Sequence, residues 1–252
     1  MRAGAVTTNN MRVFFLACYL PLVLALATHS QADELISTER PSFSASPVAL
    51  ARSVMQIELG YQFTRASGGD ATDHTLPLAL FRAGVAERLE LHLGWAGLSR
   101  IDANGGSSSA VNGASLGAKW QLNESDSRVP IALFGGLTLP VDSDDGEIDP
   151  LLGVFWSASV VVDWFGNVLL TESDGNRIVS NALGVSMPFG HGTGGYVEYY
   201  GRYGDRGGPE NYINAGVSHA LRDDLAVDAS AGAGLNDRSA DFYIGLGISR
   251  RF

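Results

Sequence analysis

The sequence predicts an all-β protein, an antiparallel transmembrane β-barrel of about 12 strands behind a cleaved signal peptide. Three observations predict it: an export-type apolar run near the start, period-two alternation that recurs in segments of membrane-crossing length, and an aromatic residue ending the last of them.

The chain begins with the export element. Arg12 precedes an apolar run over 13–28, and Ser30, Gln31 and Ala32 offer a small-x-small cleavage site, so 1–32 reads as a signal peptide and Asp33 as the mature start. Met11 is an alternative initiator. An anchor helix would need about 20 apolar residues, more than this run supplies. Cys18, the only cysteine, lies inside the signal, which leaves the mature chain without a disulfide or thiolate site. Residues 33–52 read as a periplasmic N-terminal segment able to fold into the lumen as a plug, and 53–252 as the barrel.

Alternation carries the barrel. Met55, Ile57, Leu59, Tyr61 and Phe63 form one apolar face, followed by a strand over 75–85. Leu89, Leu91, Leu93 and Trp95 form the next, and Ala114, Leu116, Ala118, Trp120 and Leu122 the one after. Further strands are expected over 129–139, 150–159, 162–171, 177–187, 195–203, 211–221 and 225–235. In the last strand Ala240, Phe242, Ile244, Leu246 and Ile248 point one way, with Phe252 continuing that face. Each segment is close to the roughly 9 to 11 residues that a tilted strand needs to cross a bilayer. The turn within 157–163 is poorly marked.

Connections alternate in length. Residues 86–88, 222–224 and, somewhat longer, 123–128 link strands on one rim, whereas 96–110 and 140–149 are expected to be long loops on the other. An even strand count then leaves both termini in the periplasm. Trp95, Tyr61, Phe63, Tyr203 and Tyr212 fall near the outer rim and Trp120 and Phe252 near the inner one, as paired aromatic girdles would. A secreted sandwich or ligand-binding barrel also alternates, but with its apolar face inward.

Composition agrees with a folded chain. Only 17% of residues are charged, 45% are apolar and 31 are glycine, which is too apolar for disorder. Without residues 1–32 the chain keeps 15 basic and 27 acidic residues, a net −12, and such a charge makes nucleic acid an unsuitable partner.

The mature chain resembles the outer-membrane transporter family named for the meta-pathway of phenol degradation. The opening Ile36, Ser37, Thr38, Glu39, Arg40, Pro41, with Ser46 and Pro47 after it, is similar to the family's I-x-T-D-R-P start. Glu39 stands where Asp is usual, and Ser42 replaces another common Asp. A second match runs from His74, Thr75, Leu76 and Pro77 through Arg82 to Gly84, Val85, Ala86, Glu87, Arg88, Leu89, Glu90 and Leu91, then Gly94 and Trp95. The resemblance implies a transporter-like barrel of the Gram-negative outer membrane, without fixing a substrate, and implies that Phe252 is the signal read by the barrel-assembly machinery.

Catalytic and metal motifs are weak. His74, His92, His191 and His219 show no His-x-Ser spacing, and Ser218 and His219 fall on opposite faces of a strand, which disfavours a lipid hydrolase. The run Asp142, Ser143, Asp144, Asp145, Gly146, Glu147, Ile148, Asp149 departs from a calcium-loop template and reads as a solvated acidic loop, with bridging of divalent cations to lipopolysaccharide phosphates as the alternative. Gly190, His191, Gly192, Thr193, Gly194 and Gly195 precede a strand and read as a turn. No catalytic, cofactor or metal residue is assigned.

The polar residues on the inward face are the functional candidates. Glu58, Gln62, Arg82, Glu90, His92, Lys119, Gln121, Glu198, Arg202, Asp228 and Tyr243 are expected to line a narrow lumen, joined by Arg40 from the preceding segment. Opposite charges among them could equally pair and close it.

The expectation is therefore an outer-membrane channel for passive uptake of small molecules, aromatic or hydrophobic ones as the resemblance alone implies, contacting lipid and lipopolysaccharide and requiring no cofactor. A closed structural or adhesive barrel is the alternative. Acidic loop residues Asp70, Asp73, Asp102, Asp142, Asp144, Asp145, Glu147, Asp149, Asp174 and Asp205 predict a weak cation preference.

Overall fold

Period-two segments rich in β-branched and aromatic residues pair into one continuous antiparallel sheet that closes on itself. The computed structural model describes residues 35–141, 148–173 and 175–252. The expected signal peptide, the acidic run 142–147 and Asp174 lie outside the described residues.

The strands are β1 (Met55–Arg65), β2 (Ala71–Ala86), β3 (Leu89–Trp95), β4 (Leu98–Ala103), β5 (Gly106–Val111), β6 (Ala114–Gln121), β7 (Ile131–Leu139), β8 (Asp149–Ser159), β9 (Asp163–Ser173), β10 (Asn176–Gly190), β11 (Thr193–Gly204), β12 (Glu210–Arg222), β13 (Leu225–Gly234) and β14 (Phe242–Arg251). Twelve of them form the ring, which closes because β1 pairs with β2 on one side and with β14 on the other. Closure matters because hydrocarbon offers no partner to an unpaired strand edge. The seam is fastened to its end, where the Phe252 N–H donates to the Met55 carbonyl at 2.8 Å. No helix among the described residues is long and apolar enough to cross a membrane.

One connection differs from expectation. The stretch 96–110 is not an irregular loop: β4 and β5 form a hairpin that pairs with the upper half of β2, while the lower half of β2 pairs with β3. Its turn falls at Asn104 and Gly105, both at positive φ, which is the residue pair a tight hairpin turn requires. β2, the strand the hairpin pairs with, begins at Ala71, earlier than the expected 75–85.

The two faces of the wall separate by chemistry. Leu93, Leu116, Leu152, Val168 and Leu246 stand outward and are 52–62% exposed in the isolated chain, an apolar belt of the kind that lipid covers. Inward, the largest fully buried side chains are polar: Arg82, Lys119, Gln56, Glu58, Glu90 and Glu198. A soluble β-barrel would show the reverse. Trp120 and Trp164 lie outward near the rim that carries both chain ends, and Tyr203 near the opposite rim. Tyr212 is a correction: expected in the outer girdle, it is buried on the inward face beside Tyr200, because its parity is opposite to that of exposed Ile213.

Candidate functional site: a peptide segment held in the lumen

Residues 35–54 precede β1, form no helix or strand, and contact the inward face of the ring. Their backbone N–H groups need acceptors away from bulk water, and wall carboxylates supply them. Glu58 accepts from the Glu39 N–H at 3.0 Å and the Arg40 N–H at 3.1 Å. Glu198 accepts from Phe43 at 2.5 Å and Ser44 at 3.3 Å, while Glu90 accepts from Leu50 at 2.6 Å and Gln121 from Ala49 at 3.0 Å. Segment carbonyls are used as well: Gln56 Nε2 donates to Ser37, Lys119 Nζ to Ser46 and the Tyr196 hydroxyl to Pro41.

An ionic cluster fixes one end. Arg82, which is 1% exposed, reaches Glu39 at 2.9 Å, Glu58 at 3.0 Å and Glu90 at 2.7 Å. Lys119 Nζ lies 2.5 Å from Glu39 and 3.6 Å from Glu90, and His92 Nε2 is 2.5 Å from Glu90. Burial acts to raise the Glu39 carboxyl, but the Arg82 and Lys119 charges outweigh it and hold that group below the ordinary carboxylate range. Glu39, Glu90 and His92 place three potential ligand atoms within 4.8 Å of one another. Two cations already neutralise those carboxylates, however, so the donor set does not suit a divalent metal.

Arg40 fixes the other side. Its guanidinium donates to Asp228 and to the Leu246 carbonyl at 3.3 and 3.1 Å, lying flat on β1 and β14 where Gly60 and Gly247 leave room. A Cβ at either glycine would collide with it.

The residues read from the sequence thus fall into three groups. Arg40, Glu58, Arg82, Glu90, His92, Lys119, Gln121, Glu198 and Asp228 meet the segment or its cluster. Gln62 is half-buried and bonds Thr64 at 3.1 Å, and Arg202, though on the inward row, is exposed at the far rim and pairs with Glu210. Tyr243 belongs to a cluster of aromatic rings. Phe252 closes the seam and lies beneath the Arg250 guanidinium at 5.3 Å. The Gly190–Gly192 stretch is the turn between β10 and β11, with φ of 83°, 51° and 72°. Ser218 and His219 do point to opposite faces: Ser218 lines an inner cavity, whereas His219 bonds Thr193 at 2.8 Å. Sequence reasoning missed Glu39 as an ionic partner and Phe43 and Tyr196 altogether. Only the parity of Tyr196 with Glu198 signalled any of them.

Beside the segment, between it and β8–β12, remains a cavity of about 590 Å³. Its lining mixes serines and threonines with glycine and apolar side chains, and Phe165, Tyr196 and Arg40 are among the rest.

A closed ring with a lipid-type exterior and a polar, partly filled interior defines an outer-membrane β-barrel. Solved barrels agree. The COG4313 outer membrane channel from Pseudomonas putida F1 superposes with a TM-score of 0.56 at 16% identity, covering 86% of this chain and all of that one. The KdgM porin gives 0.53 at 12% identity over 78% of this chain and 99% of its own, and the NanC porin 0.53 at 8% over 78% and 98%. The chain belongs to the family named for the MetA pathway of phenol degradation, whose model matches residues 38–252. No curated protein sequence matches it.

Proposed function

We propose that the protein is an outer-membrane channel for passive uptake of small, aromatic or hydrophobic molecules, and that residues 35–54 act as a plug narrowing its lumen. The observation that carries the proposal is the way the segment is held: through many single hydrogen bonds to wall carboxylates, next to a cavity of about 590 Å³, and not through an apolar core of its own. Such contacts can exchange with water one at a time. The aromatic part of the proposal draws on the family name and on the tyrosines facing the lumen.

The test is planar-bilayer recording of the full mature chain beside one lacking 36–53. The deletion should raise single-channel conductance several-fold, and reversal potentials in a salt gradient should show a weak cation preference. Unchanged conductance would refute the plug. A barrel silent in both forms would favour the second reading, a closed structural barrel, for which the buried ion cluster filling one side of the lumen speaks.

A further inference from the structure

The inner aromatic rings are gathered at one place. Tyr200, Tyr212 and Tyr243 face inward from β11, β12 and β14, each less than a tenth exposed. Tyr200 and Tyr212 stack at 4.8 Å with 17° between planes, and Tyr243 stands edge-on to Tyr212 at 6.2 Å. The Tyr212 hydroxyl accepts the Ala240 N–H at 3.0 Å, which fixes that ring in place. One ring in the group is not part of the wall. Phe43, from the lumen segment, lies on the free face of Tyr200 at 4.5 Å with the planes only 2° apart.

We infer that the face of Tyr200 is a binding slot for the planar aromatic ring of a small neutral solute, which Phe43 fills as the chain's own stand-in. A phenylalanine that served only to anchor the segment could pack at any angle, since apolar burial has no direction. Parallel, offset stacking instead uses the ring's charge distribution, and only a flat π-system reproduces it. The slot is also pre-shaped: Tyr212 backs Tyr200, Tyr243 borders it, and no side chain has to be ordered when a ring enters. Phe43, by contrast, depends on a segment whose hold at that point is the pair of N–H groups of Phe43 and Ser44 on Glu198. Stacking adds about a two- to tenfold preference for an aromatic over an equally apolar ring. The physiological meaning of the slot rests on the channel reading; its existence does not.

Phenol and cyclohexanol, near-equal in size and both bearing one hydroxyl, are the probes. Their binding to the full mature chain in detergent micelles is measured by saturation-transfer NMR for the wild type, Phe43→Ala and Phe43→Ala with Tyr200→Ala, the last giving the baseline for partition into micelles. Phe43→Ala should bind phenol above that baseline, two- to tenfold better than cyclohexanol, and better than the wild type does. Equal binding of the two probes, or none that depends on Tyr200, overturns the inference. Phe43→Leu keeps the apolar mass without the ring and replaces Phe43→Ala if the latter does not fold; the same outcomes then decide. Bilayer current is recorded in parallel, so a silent barrel that still binds phenol would sink the channel and leave the slot.

Discussion

Replacing Arg82 by methionine keeps an unbranched apolar stem and deletes the charge at the centre of the lumen cluster. The guanidinium is 1% exposed and touches three carboxylates, Glu39, Glu58 and Glu90, two of which also lie beside Lys119. Removing one partner from a buried ion pair costs about 3–5 kcal/mol, because the remaining charge is left desolvated. The twelve-strand ladder cannot relieve that cost, whereas release of the segment can, by admitting water to Glu58 and Glu90. The loss should therefore fall on docking, shifting the docked-to-released ratio by roughly 100- to 4,000-fold at about 1.4 kcal/mol per decade. Hydrogen exchange reads this directly. The N–H groups of Glu39, Arg40, Ser46 and Leu50, all held by carboxylates, should lose at least two decades of protection while those of β10 and β11 keep theirs. Adding Glu90→Gln restores the charge count and should recover part of the loss. A change below threefold in the single variant, with the barrel intact, would refute the argument that this cluster holds the segment.

Other consequences follow from the same contacts. Gly247→Val puts a side chain where Arg40 crosses β14, so it should weaken docking by about 1–3 kcal/mol, visible as protease cleavage within 35–54; resistance equal to wild type would count against the Arg40 anchor. Val168→Arg places a charge in the middle of β9 on the outward face, 52% exposed, and should cost about 2–4 kcal/mol in denaturant unfolding from lipid vesicles; a cost below about 0.5 kcal/mol would mean that something other than hydrocarbon covers that face. Because the Glu39 carboxyl is held below its ordinary value, its contribution to docking is fully present above the unfolded-state value and is lost as pH falls through the lowered one. Glu39's share of docking should accordingly be constant from pH 7 to about 4.5 and fade only in stronger acid, raising the current of the full chain there, and Glu39→Gln should blunt that rise.

Parity made most of the wall legible. Wherever apolar and polar residues alternate, as from Met55 to Phe63 or Phe242 to Ile248, the strand and its two faces could be read from the chain alone. The β4–β5 hairpin escaped because every residue of β5 is exposed to water, which removes the contrast that alternation needs; the Asn104–Gly105 pair was the signal that remained. Tyr212 lies near a rim in sequence, yet its alternation with exposed Ile213 puts it on the inward face. Wall members of the site, such as Glu58, Arg82, Glu90 and Lys119, were readable as polar residues on an otherwise apolar strand. Glu39 and Phe43 were not readable as contacts. They lie in a segment without periodicity, and its path is set by acceptors far away in sequence: Glu198 is 155 residues from Phe43.

Most grips on the lumen segment close on main-chain N–H and C=O groups, which nearly every residue carries alike. The wall is thus largely blind to which side chains decorate the stretch it retains. Residues between Arg40 and Leu50 can be exchanged to retailor the inner surface while the amide moorings stay where they are. One scaffold could in this way be refitted for different passengers without redesigning a single strand.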